Sequence, residues 1–413
     1  MSIDVRPVRD DELIAWLDAG STGFLERPDL AKIAEEVRPH WDMARVWAGF
    51  EADRIVGTFR SWAGELTVPG CGRLKASAVT GVGVLPTHRR RGILSRMAAA
   101  EHTAARERGE VVAMLYASEF PIYGRFGYGP ATTATTWTID TRATGFHQRA
   151  AAGGSIELIA PDEAGEATAR DVFEAWRVRQ PGEIWRRPIT WHADFGRGGT
   201  GWGPAWKGFV VVHRDADGAI DGYARFHAED KWEQRQPRNG LVVDDLQALT
   251  DDAYASLWQF LAGLDWVVTV KAEHRHPAER LPWLLTNARA AVASDIGDGM
   301  WVKLIDIPGA LAARSYERAG SLVLEVIERG DADGERRTRV LLEAEAGGAT
   351  SAATKRSPDL TLDASALAAA YLGGPRLRDA VLASGVDEHR PGALAAADAL
   401  FSTLDPPWCS TFF

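Results

Sequence analysis

A basic turn between a strand and a helix is the segment of this sequence with the clearest capacity for chemistry. It spans Val82–Leu94 and reads VGVLPTHRRRGIL, so a strand ends, a proline prevents its continuation and a glycine opens a helix. The first backbone N–H groups of a helix have no internal partner, and the helix dipole attracts anions to that end. Gly92 leaves room for a phosphate, and the arginines at 89–91 can neutralise it. The turn therefore predicts a diphosphate site; the alternative is a surface turn whose arginines are only solvated.

The residues around this turn predict the strands and the helix that would hold it. Val46–Phe50 and Ile55–Phe59 flank an acidic turn and indicate a β-hairpin. A helix is expected over Gly92–Arg108, ended by the glycine that follows. Val111–Tyr116 is a continuous apolar run, which is typical of a buried strand parallel to its predecessor. The first part of the chain is therefore predicted to be α/β, with a strand–helix–strand centre.

Two further regions follow, and a small-residue linker is expected at Ala150–Ser155 before the second. The expected strands are 209–212, 222–226, 241–243, 267–270, 301–304, 322–327 and 340–342, and the expected helices are 251–264, 364–371 and 393–401. Residues 331–334 and 345–355 are expected to be turns or flexible loops. We predict three domains, at 1–153, 154–300 and 301–413.

The composition is that of an ordinary globular protein and narrows the classes of function. The 413 residues include 47 Lys and Arg against 57 Asp and Glu, a net charge of −10. This balance argues against a nucleic-acid partner, because phosphate recognition needs clustered cations, and it favours cationic partners. Two cysteines, Cys71 and Cys409, provide no disulfide framework or cysteine-based zinc site. No signal-peptide-like run at the N-terminus and no stretch of about 18 apolar residues is present, so a cytoplasmic protein without a membrane span is expected.

The basic turn resembles the Arg/Gln-x-x-Gly-x-Gly/Ala signature of the GNAT superfamily of N-acetyltransferases. Here it reads Arg89-x-x-Gly92-x-Leu94, and Leu94 departs from the small residue usual at the last position. The glycine-rich loops of nucleotide-binding and dinucleotide-binding proteins are absent. The resemblance implies that the turn holds the pyrophosphate of coenzyme A, and that the backbone of Val82–Val84 pairs with the pantetheine arm as an added strand would.

A second segment is similar to the Eis (enhanced intracellular survival) family of three-part acetyltransferases. Ala117–Thr133 reads ASEFPIYGRFGYGPATT, and Pro86–Gly92 and Leu66–Gly70 add to the resemblance. It implies an α/β (α+β) fold of tandem GNAT domains, the second degenerate, followed by a sterol-carrier-protein-like α/β domain. Residues 156–300 agree with a degenerate second domain, because they contain no Arg-x-x-Gly turn after a strand and a proline. One acetyl-CoA per chain and a homo-hexamer are implied as well.

The resemblance to the Eis family also implies roles for individual residues. Tyr123 would be the general acid, since a phenol with a pKa of about 10 is neutral at pH 7; Tyr128 is the rival, and simple packing of Tyr123 is the alternative. The general base would be the C-terminal carboxylate at Phe413, in an aromatic tail that favours burial; a tail packed only for stability is the alternative. Penultimate Phe412 stands where the family often has an acidic residue. The implied acetyl-CoA-binding residues are Val82, Gly83, Val84, Arg90, Arg91, Gly92, Ile93, Leu94, Ser95, Ser118 and Glu119, and the amine-binding candidates are Phe24 and Glu26.

The implied function is acetyl-CoA-dependent N-acetylation of primary amines on cationic small molecules, with aminoglycosides as the best-known substrates of the family. Direct transfer is expected, because no activated nucleophile is visible in the sequence. Two alternatives stay open: a protein or peptide lysine N-acetyltransferase, and a non-catalytic assembly that binds coenzyme A or a lipid. No metal is expected, since His274 and His276 could share a strand face but lack a third ligand of suitable spacing.

Overall fold

Three β-sheets with helices packed on them, and one short hairpin, make up the described part of the chain. The structure is a computed structural model that describes residues 3–147, 153–198, 205–330, 334–345, 347–383 and 385–413. The N-terminal elements are β1 (Ile3–Pro7), α1 (Leu13–Gly23), α2 (Leu30–Val37), β2 (Val46–Glu51), β3 (Arg54–Val68), β4 (Gly72–Val84), α3 (Ile93–Glu107), β5 (Val112–Tyr116), α4 (Phe120–Tyr123), β6 (Gly129–Pro130) and β7 (Thr133–Asp140).

The remaining elements lie in the central and C-terminal parts of the chain. The central elements are β8 (Ser155–Ile159), α5 (Glu163–Arg177), α6 (Pro188–Asp194), β9 (Phe209–Arg214), β10 (Ile220–Glu229), β11 (Trp232–Glu233), β12 (Gln236–Pro237), β13 (Asn239–Ala248), α7 (Asp251–Ala262), β14 (Val267–Arg275), β15 (Ala291–Asp298) and β16 (Met300–Leu304). The C-terminal elements are α8 (Ile307–Ala313), β17 (Gly320–Gly330), β18 (Gly334–Glu345), β19 (Gly348–Ala353), β20 (Leu360–Asp363), α9 (Ala364–Ala370), α10 (Leu377–Ala380), β21 (Val386–Glu388) and α11 (Ala393–Phe401).

The first sheet has the order β1-β2-β3-β4-β5-β16-β6 and contains the predicted strand–helix–strand centre. β2 and β3 form the expected hairpin, β4 and β5 run parallel, and α3 lies between them in sequence. Ile93 and Met97 of α3 share a buried apolar cluster with Val56 and Phe59 of β3, so the helix packs on the sheet. Gly109 follows the helix with φ 74°, a left-handed conformation that suits glycine and ends a helix.

Two strands join sheets that are formed mainly by other parts of the chain. β16 lies between β5 and β6 of the first sheet, with Trp301 opposite Leu115. β7 lies between β14 and β15 of the second sheet. Strand pairing therefore crosses the expected domain boundaries at 153/154 and 300/301. The division into three domains stays a prediction. Residues 150–152 of the expected linker lie outside the described residues.

The second sheet repeats the strand–helix–strand pattern, with the order β15-β7-β14-β13-β10-β9-β8. β13 and β14 run parallel, and α7 lies between them in sequence. Thr250 caps α7, because its Oγ1 accepts a hydrogen bond from the backbone N–H of Ala253 at 3.1 Å. The expected strands and helix of this region correspond to β9, β10, β13, β14 and α7.

The third sheet has the order β19-β18-β17-β20-β21 and packs directly onto the first. Leu324 and Leu342 of the third sheet share one buried apolar core with Leu66 and Val302 of the first sheet. Residues 348–353 were expected to be flexible but form β19, because the edge of β18 offers unpaired backbone groups to an extended neighbour. Residues 331–333 and 346 lie outside the described residues. No helix in the described ranges combines the length and apolar character needed to cross a lipid bilayer.

Candidate active site

The central strands of the first sheet separate after a short parallel contact. β4 and β5 pair only through Ala76–Ala78 and Val112–Met114 in the described structure. Gly81, with φ 61°, lies where the register between β3 and β4 shifts, and such a bulge bends the strand. Beyond this bend Gly83 and Val84 pair with β3 on one side, and their other edge faces an open cavity.

This opening is a cavity with a volume of about 670 Å³. That volume is typical of small-molecule sites. The predicted residues that line it are Phe24, Val82–Val84, Arg90, Gly92–Ser95, Ser118–Glu119 and Tyr123. The fold therefore brings together segments that are separated in sequence: the end of β4, the start of α3, and the loop and short helix after β5. Three predicted residues do not line the cavity, namely Glu26, Arg91 and Phe413.

The turn before α3 lines the cavity and leads into the N-terminus of that helix. Arg90 and Gly92 both have left-handed φ values, 61° and 71°, and α3 begins at Ile93. A Cβ on Gly92 would meet no atom within 4 Å, so the backbone conformation, rather than crowding, favours glycine in this structure. The first-turn amides of an α-helix and its positive dipole end can bind an anion. The diphosphate site expected at this turn stays a prediction.

Arg91 is directed away from the cavity by an ion pair with Glu51. Its Nη2 lies 2.6 Å from Oε1 of Glu51, whose Oε2 lies 3.1 Å from Nε2 of His88. These two partners, Arg91 first, hold the pKa of Glu51 at about 2. Arg89 and Arg125 line the cavity beside Arg90. Sequence reasoning did not assign Arg125 a role, although it lies in the same glycine-rich run as Tyr123.

Tyr123 lies at the end of α4, is 9% exposed and lines the cavity. Burial, with a smaller effect of the Glu119 charge, raises the pKa of Tyr123 to about 12, so the phenol carries its proton at neutral pH. Tyr128 is buried and does not line the cavity, and its hydroxyl lies 2.9 Å from Nε2 of His102. Burial lowers the pKa of His102, so this imidazole is neutral. The geometry supports Tyr123 over Tyr128 as a proton donor to a ligand in the cavity.

The last residues of the chain pack against the end of β5. The hydroxyl of Tyr116 donates a hydrogen bond to the carbonyl oxygen of Thr411 at 3.0 Å. The Phe413 ring makes edge contacts with the rings of Tyr116 and Trp62, at centroid distances of 5.4 and 5.5 Å. Phe413 therefore lies next to the strand end that leads into Ser118 and Glu119, outside the set of residues that line the cavity.

The remaining candidates occupy different environments. Phe24 is 48% exposed at the cavity, whereas Glu26 is exposed and its backbone N–H bonds the carbonyl of Ser21 at 2.8 Å. His274 and His276 do not share a site. The ring of His274 stacks on Phe412, and Nδ1 of His276 accepts a hydrogen bond from the backbone of Ala278.

Comparison with known proteins relates this arrangement to an enzyme family. Residues 4–131 and 177–304 each match a model of an acetyltransferase (GNAT) domain, and residues 307–410 match a sterol carrier protein domain. A relative from Streptomyces griseus, named an uncharacterized N-acetyltransferase, is 41% identical over 421 residues that span 100% of both chains. The N-acetyltransferase Eis of Mycobacterium tuberculosis is 35% identical over 350 residues, which cover 83% of this chain and 82% of that protein. The chain belongs to the Eis family of GNAT N-acetyltransferases.

Solved structures agree with membership of the Eis family. The crystal structure of Eis1 from Mycobacterium abscessus has a TM-score of 0.85 at 34% identity and covers 99% of this chain and 100% of that one. A GCN5-related N-acetyltransferase from Anabaena variabilis has a TM-score of 0.83 at 18% identity over 100% of both chains, which is a likeness of fold alone. The predicted Eis-family resemblance, fold class and N-acetyltransferase activity are thus confirmed, and the GNAT fold implies acetyl-CoA as a substrate.

Proposed function

We propose that this Eis-family acetyltransferase transfers the acetyl group of acetyl-CoA directly to primary amines of cationic small molecules such as aminoglycosides. The observation that carries the proposal is the presence of Tyr123 in the same cavity as the open edge of β4 and the N-terminus of α3. An acyl transfer of this kind needs a donor of a proton to the departing thiolate and a group that removes the proton of the amine.

The residues that line the cavity fit acetyl-CoA, whose thioester supplies an activated acetyl group. The backbone of Val82–Val84 has an edge available for the amides of the pantetheine arm. The first-turn amides of α3, with Arg89, Arg90 and Arg125, suit a diphosphate. Ser118 and Glu119 line the cavity where the strands have parted, and they would contact the acetyl-CoA there.

Tyr123 and the carboxylate of Phe413 are proposed to move the two protons. The Tyr123 phenol is protonated at neutral pH, which suits donation to a thiolate. The Phe413 carboxylate would attract the ammonium form of the acceptor and take its proton. Support for this role comes from the packing of Phe413 on Tyr116, next to the segment that contributes Ser118 and Glu119 to the cavity.

The acceptor class is inferred from charge and from exposed aromatic surface. The chain carries a net charge of −10, and the Glu119 carboxylate lines the cavity near Tyr123. Phe24 exposes nearly half of its surface at the same cavity, where a ring face can attract a cation. Glu26 follows closely in sequence and is exposed. These features favour a polycationic amine over a neutral acceptor.

Thiol release from acetyl-CoA, measured across a panel of aminoglycosides, polyamines and lysine peptides, tests the proposal. We expect Tyr123→Phe to lower kcat by about 10²- to 10³-fold with little change in KM for acetyl-CoA, as removal of a general acid does. Addition of one glycine after Phe413 displaces the carboxylate and should lower kcat similarly. Phe413→Tyr keeps both the terminal carboxylate and an aromatic ring, and it serves as the matched control. Wild-type turnover in both Tyr123→Phe and the extended chain would overturn the assigned roles, and a preference for peptides would favour the lysine acetyltransferase alternative.

The proposal includes assembly as a homo-hexamer in the cytoplasm, which the family resemblance implies. Exposed apolar side chains near one edge of the second sheet support self-association: Val292 and Ile296 on β15 are 56% and 65% exposed, and nearby in sequence Trp283 is 85% exposed. Sedimentation velocity of the wild type and of Ile296→Glu measures the assembly. A monomeric wild type at micromolar concentration would contradict it.

A further inference from the structure

The C-terminal segment enters the second sheet at the place where its central strands part. β13 and β14 pair through Asn239–Val243 and Val267–Ala272 and then separate, as β4 and β5 do in the first sheet. Nε1 of Trp408 donates to the carbonyl of His274 on β14 at 2.7 Å. Nε2 of Gln247 on β13 donates to Oγ of Ser410 at 3.0 Å. In the first sheet, the opening between the central strands is a cavity of about 670 Å³. In the second sheet, the corresponding opening holds the C-terminal segment, and a space of about 210 Å³ remains beside it.

A buried carboxylate binds this segment through its backbone and both of its hydroxyl groups. Glu183, which is 0% exposed, accepts hydrogen bonds from the backbone N–H of Ser410, from Oγ of Ser410 and from Oγ1 of Thr411, each at 2.7 Å. These charge-assisted contacts satisfy a carboxylate that burial would otherwise penalise. These three hydrogen bonds to Glu183 thus come from the residues two and three positions before Phe413, and the backbone N–H of Ile184 and Sγ of Cys409 also donate to Oε1 of Glu183.

Arg186 completes the same network from the other side. Its Nε donates to Oγ1 of Thr411 at 2.8 Å, and its Nη2 donates to Oγ of Ser410 at 3.1 Å. Asp245 forms an ion pair with Arg186, which balances the buried guanidinium. Each tail hydroxyl therefore donates to Glu183 and accepts from Arg186. This arrangement specifies one position and one orientation for Ser410 and Thr411.

We propose that Glu183 and Arg186 are positioning residues that hold the Phe413 carboxylate for the chemistry of the first domain. The inference rests on the proposed base role of that carboxylate. Phe413 is two residues beyond Thr411, so it lies at most about 7 Å further along the chain, and the anchor restricts where the carboxylate can lie. In this view the second GNAT domain serves as a receptor for the end of its own chain, in the opening that corresponds to the acetyl-CoA cavity of the first.

A pair of substitutions at Thr411 separates positioning from a loss of general stability. Thr411→Val keeps the shape but removes the hydroxyl, whereas Thr411→Ser keeps the hydroxyl. We expect Thr411→Val to lower kcat at least tenfold with KM for acetyl-CoA unchanged within twofold, and Thr411→Ser to stay within twofold of wild type. Equal kcat values for the two variants would overturn the proposal.

Glu183→Gln extends the test, both alone and in the chain extended by one glycine after Phe413. If Glu183 acts through the carboxylate, the variant should lower kcat at least tenfold in the natural chain and by less than twofold in the extended one. If Glu183→Gln and the added glycine lower kcat by factors that multiply, the two changes act independently. Glu183 would then have a structural role unrelated to the carboxylate, which would overturn the proposal.

Release of Phe413 and Phe412 by carboxypeptidase, followed by mass spectrometry, reports on the tail without reference to activity. Glu183→Gln should release both residues at least tenfold faster than wild type, and an unchanged rate would also overturn the anchor. Wild-type turnover of the extended chain, combined with fast release from Glu183→Gln, would instead show that the anchor exists and that the proposed base role is wrong.

Discussion

The hydroxyl of Tyr116 donates a hydrogen bond to the carbonyl oxygen of Thr411 at 3.0 Å, across a sequence separation of 295 residues. Tyr116 ends the strand whose continuation forms one wall of the cavity, and Thr411 donates a hydrogen bond from its hydroxyl to the buried carboxylate of Glu183. This bond joins the first GNAT domain to the end of the chain. The segment that precedes Phe413 therefore makes hydrogen bonds both to the first GNAT domain and to Glu183.

Removal of this bond should affect activity more than removal of a similar bond elsewhere. Tyr116→Phe and Tyr371→Phe each delete one hydroxyl that donates to a carbonyl, the latter to Ala310 at 2.8 Å. We expect each to lower the free energy of unfolding by about 1 kcal/mol. Only Tyr116→Phe should lower kcat, by about tenfold, since Tyr371 lies in the core of the C-terminal domain. Denaturant titration and thiol-release kinetics measure the two effects; a similar kcat for both variants would contradict the prediction.

Two neighbouring arginines should differ in their contribution to acetyl-CoA binding. Arg90 lines the cavity, whereas Arg91 pairs with Glu51. Arg90→Ala is expected to raise KM for acetyl-CoA about tenfold, because it removes a charge-assisted contact to a phosphate. Arg91→Ala should change this KM less than twofold. Steady-state kinetics at varied acetyl-CoA provides the measurement, and the reverse order would show that Arg91 leaves Glu51 when the substrate binds.

The phenol of Tyr123 should titrate at a higher pH than an exposed tyrosine. Its pKa is about 12 in the folded protein, raised by burial and by Glu119, against about 10 for an exposed phenol. The folded state holds this proton more tightly than the unfolded state. The tighter binding of the Tyr123 proton therefore stabilises the folded state fully below about pH 10, and this stabilisation is lost as the pH rises through about 12. The phenolate absorbance of wild type minus that of Tyr123→Phe should have its midpoint near pH 12; a midpoint near pH 10 would contradict the burial.

The bend in β4 should depend on Gly81. A Cβ at Gly81 would lie 2.9 Å from Cη2 of Trp16, and its φ is 61°. Gly109 has a similar φ of 74° with open space around it. We expect Gly109→Ala to cost about 1–2 kcal/mol of stability from its backbone alone and Gly81→Ala to cost ~1–3 kcal/mol more from the added overlap.

The same pair should differ in acetyl-CoA binding. Gly81→Ala should raise KM for acetyl-CoA, since the bend opens the edge of β4, whereas Gly109→Ala should not. Thermal unfolding and steady-state kinetics of both variants check this. An equal loss of stability in the two variants, with KM unchanged, would show that the bend tolerates a side chain.

Local elements of the fold were predictable from neighbouring residues. The β2–β3 hairpin, the helix between Gly92 and Gly109 and the buried strand after it follow from turn residues and apolar periodicity. The exchange of β7 and β16 between sheets was not predictable. A short apolar strand such as Met300–Leu304 suits several sheet positions, and its partner is decided by backbone pairing with strands remote in sequence.

The sequence by itself determined the basic turn before α3, the glycine-rich run that contains Tyr123, and the family, because each of these is carried by contiguous residues. Only the tertiary structure decided that Arg91 pairs with Glu51, that the Tyr128 hydroxyl lies beside His102, and that the C-terminal segment contacts β13 and β14 of the second sheet. The physical reason is competition. A side chain or a chain end takes the partner that best compensates its charge and burial, and in these cases the partner comes from a distant element that the fold alone brings near.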